Sequence, residues 1–280
     1  MKVLITSGGS KVPIDRVRDI TNMSHGTFGA RIAHEALEMG HDVMFFHASY
    51  SCTPFKATFD CYDDESELIC LRADVDGFDL PSGPVLGEEW VVVPKGAVEL
   101  ARFSEKHRDR YHQRRYRNFQ DYAGPLQHLI AEYKPDMIIL AAAISDYLVT
   151  NYVDGKIRSG SAHNIDLGDA PKVIGWVKGW RPEAFLVGFK FLVENDIPAL
   201  IRDARKSIAD NRCDMVVANT LQSLVNNDHT IRFVYPGHDA VDLYRKSDKI
   251  EDDYYLARKL IATATAGALN AAFLAKRGEQ

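Results

Sequence analysis

Two glycine turns flank a polar loop near the start of the chain. Ser7-Gly8-Gly9-Ser10 follows a short apolar segment, and Gly26 and Gly29 come where a helical pattern begins. The loop between them carries arginines, among them Arg18. Backbone N–H groups of glycine turns bind phosphate oxygens, and arginine pairs with anions. The stretch therefore predicts a site for anionic ligands, although it lacks the continuous G-x-G-x-x-G of dinucleotide-binding proteins.

Further polar residues stand where predicted strands end, which is where open parallel sheets bind their ligands. Asp146 follows such an end and is suited to ribose hydroxyls or Mg²⁺, or else is a turn or N-cap residue. Lys156 lies in a glycine-flanked loop that could reach over a phosphate, or is a plain surface lysine. The whole strand-end set is Ser7, Asn22, Asp146, Lys156, Arg158, Lys190 and Asn219. Its cations and amides suit the stabilisation of phosphoryl charge.

Other catalytic patterns are missing from the sequence. It contains no G-x-S-x-G nucleophile elbow, no HExxH and no CxxC. The four cysteines match no zinc-binding spacing, so we expect reduced thiols: Cys52, Cys61, Cys70 and Cys213. These absences leave phosphoryl chemistry as the favoured class.

The elements that must position these residues alternate along the chain. Apolar runs predict buried strands, and helical periodicity predicts the helices between them. The strands are predicted over 3–6, 42–47, 137–143, 184–189, 215–219 and 230–235, and the helices over 28–39, 126–133, 197–211 and 252–277. This order predicts an α/β fold: a Rossmann-like, doubly wound, mostly parallel sheet with helices on both faces. We expect a single domain over 1–280, with a variable insertion or flap at about 60–122.

Within that variable region the charge changes sign. Residues 60–79 are acidic around an expected edge strand at 68–71, and a further strand is predicted over 90–93. Residues 105–119 are rich in arginine and tyrosine. We interpret the basic stretch as a solvated helix face, because the whole chain carries a net charge of −5 and gives no general basic field for nucleic acid. Docking of an anionic small substrate or of a partner subunit is the alternative for this stretch.

The bulk composition is that of an ordinary globular protein, with 46% hydrophobic and 26% charged residues in 280. No run of about 18 apolar residues is present, so we expect no membrane association. The first residues enter a strand rather than a signal-peptide pattern. Together these features favour a cytoplasmic protein.

Taken together, the motifs resemble the phosphopantothenate–cysteine ligase family in its stand-alone form. The resemblance extends from residue 1 to about 223 and is weakest over 60–122. Its motifs here are LITSGGSKVPID-RVRDITNMSHGTFG, AAAISDY, KIRSG, APKVIGWVKGWRP, VGFKFLVE and DMVVANTL. It implies amide formation between 4′-phosphopantothenate and L-cysteine through an acyl-nucleotidyl intermediate, with release of pyrophosphate and a nucleoside monophosphate.

The resemblance also implies roles for individual residues. Asn22 and Lys156 are the implied catalytic residues. The nucleotide is expected to contact Ser7, Gly8, Gly9, Ala141, Ala142, Ala143, Asp146, Lys156, Phe189 and Lys190. The other substrates are expected to contact Arg18, Asn22, Ser24, Gly26 and Asn219. One departure is Ser24-His25-Gly26-Thr27, because many members carry a basic residue after that glycine.

The same resemblance implies Mg²⁺ with CTP or ATP as co-substrate and no tightly bound organic cofactor. No metal ligand is assigned, and Asp146 is the one candidate for an Mg²⁺ contact. Bacterial members use CTP and eukaryotic members ATP, and VGFKFLVE and APKVI favour CTP. The partners implied are small-molecule substrates and a second copy of the chain, with the strand at 90–93 as candidate interface.

Two other functions remain open at this point. An NAD(P)-dependent oxidoreductase would need an acid at the end of the second strand, where the chain has His47 and Ser49. A non-catalytic nucleotide sensor is favoured by the altered loop at Ser24–Thr27, whereas retention of both Asn22 and Lys156 disfavours it.

Overall fold

The computed structural model describes residues 1–54, 68–72, 90–160, 162–225, 230–243 and 250–278. The strands are β1 Lys2–Ser7, β2 Lys11–Pro13, β3 Asp19–Thr21, β4 Asp42–Ala48, β5 Leu68–Arg72, β6 Trp90–Pro94, β7 Tyr111–Tyr116, β8 Met137–Leu140, β9 Tyr147–Val149, β10 Leu167–Asp169, β11 Phe185–Leu192, β12 Met215–Thr220, β13 Ile231–Val234 and β14 Val241–Leu243. The helices are α1 Thr27–Glu38, α2 Lys95–His107, α3 Phe119–Tyr133, α4 Ile174–Trp180, α5 Ile197–Asn211, α6 Leu221–Val225 and α7 Ile250–Gly278.

Eight strands form one central sheet in the order β14-β13-β12-β11-β8-β1-β4-β7. Six neighbouring strands of this sheet run parallel: β7, β4, β1, β8, β11 and β12. β13 is antiparallel to them, and β14 is antiparallel to β13 and so runs in their direction. Numbered along the chain, the parallel strands follow the order 3-2-1-4-5-6 of dinucleotide-binding folds. The Rossmann-like, doubly wound fold predicted from the sequence is therefore confirmed.

Two hydrophobic cores cover the two faces of this sheet. One joins the sheet to α1, α2 and α7, and the other joins it to α3, α4 and α5. Alternate residues of β1 supply both cores, because Val3 and Ile5 face one side and Leu4 faces the other. Burial on both faces explains why the parallel strands are continuous apolar runs.

Local signals set the ends of the helices. Gly26 precedes α1 in a left-handed conformation, with φ of 73°, and Gly40, with φ of 84°, follows its C-cap. The side chain of Asp196 caps α5 by accepting a hydrogen bond from the Ala199 backbone N–H at 2.9 Å. These caps place the starts of α1 and α5 close to the ends of β1 and β11.

The basic stretch departs from its prediction. We expected a helix face over 105–119, but α2 ends at His107 and residues 111–116 form β7, which pairs with β4 and is an edge strand of the sheet among the described residues. Four consecutive positions of β7, from His112 to Arg115, are exposed, which an edge strand tolerates because its outer side meets solvent. The prediction was wrong because it rested on charge composition, which is the same for an exposed helix face and an exposed edge strand.

Two smaller differences concern strand ends. The predicted strand 137–143 ends at Leu140, so the three alanines after it form a loop. The predicted strand at 68–71 is present as β5, but it pairs with β6 in a separate two-stranded sheet. Most of the acidic segment, residues 60–67 and 73–79, lies outside the described residues.

Candidate active site

The site is built where the strand order reverses, between β1 and β8. Loops leave the carboxyl ends of these adjacent parallel strands in opposite directions, which opens a crevice. The Ala143 N–H donates to the Gly8 carbonyl at 2.9 Å, and the Ser10 N–H donates to the Ala143 carbonyl at 3.2 Å. The Ser145 N–H donates to the Ser10 hydroxyl at 2.9 Å. The two loops are therefore joined along the crevice.

Three glycines allow this crowded geometry. Gly8 and Gly26 are left-handed, with φ of 87° and 73°. A Cβ on Gly29 would lie 2.4 Å from the Ser7 Oγ, so α1 packs on β1 only because that position lacks a side chain. Gly26 and Gly29 have the spacing of the last two glycines of G-x-G-x-x-G. Residues 9–25, called the inserted segment, thus stand where the motif has a single residue between its first two glycines, which explains why the sequence did not display the motif.

Ser7 holds the turn together from inside. Its buried hydroxyl donates to the Gly26 carbonyl at 2.9 Å. The Tyr116 hydroxyl donates to the carbonyls of Ser7 at 2.7 Å and Gly8 at 2.9 Å. Burial raises the pKa of Tyr116 far above its ordinary value, so it remains a donor. Sequence reasoning missed Tyr116. Its signal in the sequence is that an aromatic residue stands at the end of a charged strand.

Asn22 lies at the surface of the inserted segment, against the end of β8. Its side-chain amide donates to the Ala143 carbonyl at 2.9 Å, a contact across 121 positions of sequence. A Cβ on Gly9 would lie 2.9 Å from the Asn22 carbonyl oxygen, so these backbones are in close contact as well. The structure thereby brings together Gly8, Gly9, Asn22 and Ala143, four of the residues named from sequence. Ser24 and Gly26 follow on the same segment, half-buried and buried.

The loop that carries Lys156, residues 153–157, is called the lysine loop. Backbone hydrogen bonds attach it to the inserted segment. The Val153 N–H donates to the Ile14 carbonyl at 3.1 Å, and the Arg16 N–H donates to the Gly155 carbonyl at 2.9 Å. Lys156 is exposed and makes no hydrogen bond or ion pair with any residue that the structure describes. Its ammonium is therefore available to an incoming anion.

Arg18 has a different environment from the one predicted. Its guanidinium Nη1 donates to the Asp15 carboxylate at 2.5 Å and to the Ile157 carbonyl at 3.2 Å. Nη2 donates to the same carbonyl at 3.3 Å. In this arrangement the Arg18 side chain joins the inserted segment to the lysine loop by hydrogen bonds.

A cleft of about 630 Å³ opens beside the end of β8, between β11, α4 and α5. Of the predicted nucleotide contacts, Ala142, Asp146, Phe189 and Lys190 line it. Sequence reasoning missed the other lining residues, which include Tyr122, Ile144, Lys172, Asp203, Lys206 and Asn211. An apolar floor with charged groups at its rim suits a nucleoside with attached phosphates.

The charged groups of the cleft are paired. The Lys172 ammonium contacts the Asp146 carboxylate, and the Lys190 ammonium lies 3.1 Å from the Asp203 carboxylate. Both pairs are partly exposed, so a phosphate could draw either lysine away at little cost. Ala142 in the cleft is followed directly by Ala143 in the glycine crevice, which makes the two spaces neighbours.

Asp146 is the acid named from sequence as a possible metal contact. Across the described ranges, no three His, Cys, Asp or Glu residues are grouped as a metal cage. Mg²⁺ commonly uses one or two carboxylates together with substrate phosphates, so a single acid fits an ion that arrives with the nucleotide.

Asn219 is the predicted contact that stands apart. It lies near the end of β12, opposite Phe191 in the register with β11, and is half-buried. β12 is separated from β8 by β11.

The described helices include none long and apolar enough to cross a membrane.

Comparison with known proteins supports one family. Residues 1–63 and 124–264 match the family described as DNA/pantothenate metabolism flavoprotein C-terminal domain. The human phosphopantothenate–cysteine ligase is 30% identical over 276 residues, covering 92% of this chain and 83% of the human protein. The mouse ligase is 33% identical over 239 residues, covering 79% of this chain and 73% of the mouse protein.

A solved structure shares the architecture over nearly the whole chain. It is a mutant of Cab2 in complex with phosphopantothenate-cysteine, with a TM-score of 0.75 and 25% identity, covering 98% of this chain and 88% of Cab2. The sheet order, the glycine crevice and these matches lead to one conclusion. The chain belongs to the phosphopantothenate–cysteine ligase family.

Proposed function

We propose that this protein joins 4′-phosphopantothenate to L-cysteine at the crevice between β1 and β8, at the expense of a nucleoside triphosphate. The observation that carries the proposal is the contact between the Asn22 amide and the Ala143 carbonyl at 2.9 Å, in a chain of this family. This contact supports the proposal because it joins a residue implied to be catalytic to the loop implied to bind the nucleotide.

The reaction needs an environment that tolerates much negative charge. A carboxylate oxygen of phosphopantothenate attacks the α-phosphorus, a new P–O bond forms, and pyrophosphate leaves. The cysteine amine then attacks the acyl carbon, loses a proton to solvent, and displaces the nucleoside monophosphate. The free Lys156 ammonium and the backbone N–H groups of Gly8 and Gly9 suit the charge that develops in the first step. Asn22 suits the acyl group of the intermediate through its exposed amide.

We assign the nucleoside to the cleft lined by Ala142, Asp146, Phe189 and Lys190. The nucleotide is CTP or ATP, with Mg²⁺ bound to its phosphates beside Asp146. The motifs quoted above favour CTP, whereas the mammalian origin of the two relatives favours ATP. Cys52 and Cys213 form no disulfide, which suits a reducing compartment and supports a cytoplasmic location.

The two rival functions have weaker support. His47 is the residue before the last of β4 and packs on Phe45, and Ala48 and Ser49 follow it, so no acid stands there for the ribose of a nicotinamide cofactor. A non-catalytic sensor has no need of the unpaired lysine that the loop at 153–157 presents.

The experiment is a pyrophosphate-release assay with phosphopantothenate, cysteine, Mg²⁺ and either CTP or ATP. Lys156→Gln removes the charge and should lower the rate by about 10²–10³-fold. Lys134→Gln is the matched control, because that exposed lysine precedes β8 at the opposite end of the sheet. Absence of release with both nucleotides, while calorimetry still detects their binding, would support the sensor.

A homodimer completes the proposal. β9 and β10 form a two-stranded hairpin whose Tyr147 and Leu167 are each 51% exposed, and Val17 on the adjacent inserted segment is 62% exposed. Apolar groups at this density favour burial against a second copy. The strand at 90–93 remains the candidate named from sequence. Light scattering at micromolar concentration should give twice the chain mass, and a monomer mass would remove the dimer.

A further inference from the structure

Asp15 is a buried acid on the inserted segment, outside the set of residues predicted from sequence. One carboxylate oxygen accepts hydrogen bonds from the backbone N–H groups of Val17 and Arg18, both at 2.7 Å. The other accepts from the Arg18 guanidinium at 2.5 Å and from the Ile157 N–H at 3.0 Å. The side chain is shielded from solvent. Every bond but the last is local, so the Ile157 contact is the one that reaches another part of the chain.

That contact holds the residue next to Lys156. The Ile157 N–H is bound by Asp15, and its carbonyl accepts from the Arg18 guanidinium at 3.2 and 3.3 Å. On the other side of Lys156, the Gly155 carbonyl accepts from the Arg16 N–H. Lys156 thus stands between two backbone attachments to one segment, while its own side chain is free.

We propose that Asp15 is a positioning residue for Lys156, fixing the backbone that aims the ammonium at the nucleotide phosphates. This rests on the proposed function, in which Lys156 stabilises charge at the α-phosphorus. A displacement of about 1 Å in such a group can lower a rate about 10²-fold.

The charge of Asp15 is constant at working pH. Burial alone raises the pKa of this carboxyl, but the hydrogen bonds from Ile157, Val17 and Arg18 outweigh it and lower the pKa to about 2. The carboxylate therefore accepts the Ile157 N–H throughout the neutral range.

The test replaces Asp15 by asparagine, which keeps the shape but turns one acceptor into a donor facing the Ile157 N–H. We expect a loss of about 10²-fold in kcat for pyrophosphate release, with little change in KM. Asp154→Asn is the matched control in the same loop. It breaks only the exposed contact with Arg16, and we expect an unchanged rate.

A double-mutant cycle separates positioning from general support of the fold. If Asp15 acts through Lys156, Asp15→Asn should have almost no further effect in the Lys156→Gln background. An undiminished 10²-fold loss in that background, or a normal rate in the single variant, would overturn the proposal.

A ligand-free measurement keeps the inference independent of turnover. Hydrogen exchange at the Ile157 amide should accelerate at least 10-fold in Asp15→Asn and not in Asp154→Asn. If Asp15→Asn does not fold, Arg18→Lys removes the fork on the Ile157 carbonyl and should accelerate the same amide. Unchanged exchange refutes the positioning role even in an active enzyme. An inactive wild type with accelerated exchange in the variant refutes the proposed function alone.

Discussion

At the scale of single residues, the site depends on polar groups that hold one another before any ligand binds. Asn22 reaches the end of β8, Tyr116 binds two carbonyls of the glycine turn, and Asp15 fixes the loop of Lys156. Such preorganisation is the main source of electrostatic stabilisation in enzymes, because the groups need no reorientation during the reaction. The unpaired Lys156 ammonium can be held toward a ligand because the backbone on both sides of it, at Gly155 and Ile157, is fixed by hydrogen bonds.

The prediction at this scale concerns Asn22. Asn22→Ala should lower kcat about 10²-fold, since one preorganised polar group at a reacting centre contributes on that order. It should cost only about 1 kcal/mol of unfolding free energy, because the lost hydrogen bond is exposed. Steady-state kinetics and thermal unfolding measure the two effects.

Asn151→Ala is the control for that change. Asn151 is also exposed, and its amide also donates to a backbone carbonyl, that of Asn164 at 3.0 Å. The control should keep full activity. An equal loss of activity in both variants would show that Asn22 has no special part in the reaction.

At the scale of elements, the contact of α1 with β1 determines whether the crevice exists. Gly29 is the closest point of that contact, and Gly26 begins the helix in a conformation that favours glycine. Phe28, at the same helix start, packs edge-on against Phe189 of β11 at 6.3 Å between ring centroids. The start of α1 is thereby fixed against two strands.

We predict opposite effects for two glycine-to-alanine changes. Gly29→Ala places a methyl group 2.4 Å from the Ser7 hydroxyl oxygen and should destabilise the fold by about 1–3 kcal/mol. It should also weaken nucleotide binding, because α1 must move away from the glycine turn. Urea denaturation and calorimetry measure these changes.

Gly179→Ala is the matched change in α4. No atom lies within 4 Å of the added methyl group, so the variant should be more stable by about 0.5–1 kcal/mol through helix propensity. If both variants were equally stable, close packing at Gly29 would not be what holds α1 in place.

At the scale of the whole molecule, buried histidines on the α1 side of the sheet make stability depend on pH. Burial, as the largest cause, lowers the pKa of His41, His47 and His107 below the ordinary value. Glu38 opposes this effect at His107 through a contact at 2.8 Å, whereas Lys106 and Arg110 add to it. These histidines are therefore neutral in the folded protein at neutral pH.

We predict that the free energy of unfolding falls as the pH drops below about 6.5. A folded-state pKa below the unfolded one means that the unfolded chain binds more protons in this range, so acid favours unfolding. Asp15 and Glu38, whose carboxyl pKa values are lowered, add a second loss as the pH falls from about 4 toward 2.

Urea midpoints from about pH 7.5 to about pH 5.5 test the first step. His107→Gln keeps a donor for Glu38 but cannot titrate, so its midpoint should fall less steeply than that of the wild type. A flat profile for the wild type would contradict the assigned directions of the histidine pKa values.

The sequence by itself determined the class of fold and named the candidate residues of the site. Apolar runs separated by helical periodicity fixed the parallel strands, because burial on both faces leaves no polar alternative. Glycine turns and strand-end residues such as Asn22 and Asp146 pointed to one edge of the sheet as the candidate site, since parallel strands present their carboxyl ends together.

Only the tertiary structure decided which residues meet. Asp15 and Ile157 are 142 positions apart, and Asn22 and Ala143 are 121 apart, so neither contact has a local sequence signal. The split glycine motif and the strand at 111–116 were hidden for the same reason. An edge strand and a solvated helix share a charged composition. What distinguishes them at 111–116 is the pairing with β4, which the structure shows and the sequence does not. Chain order tells where strands end, but the packing of loops above those ends decides the chemistry.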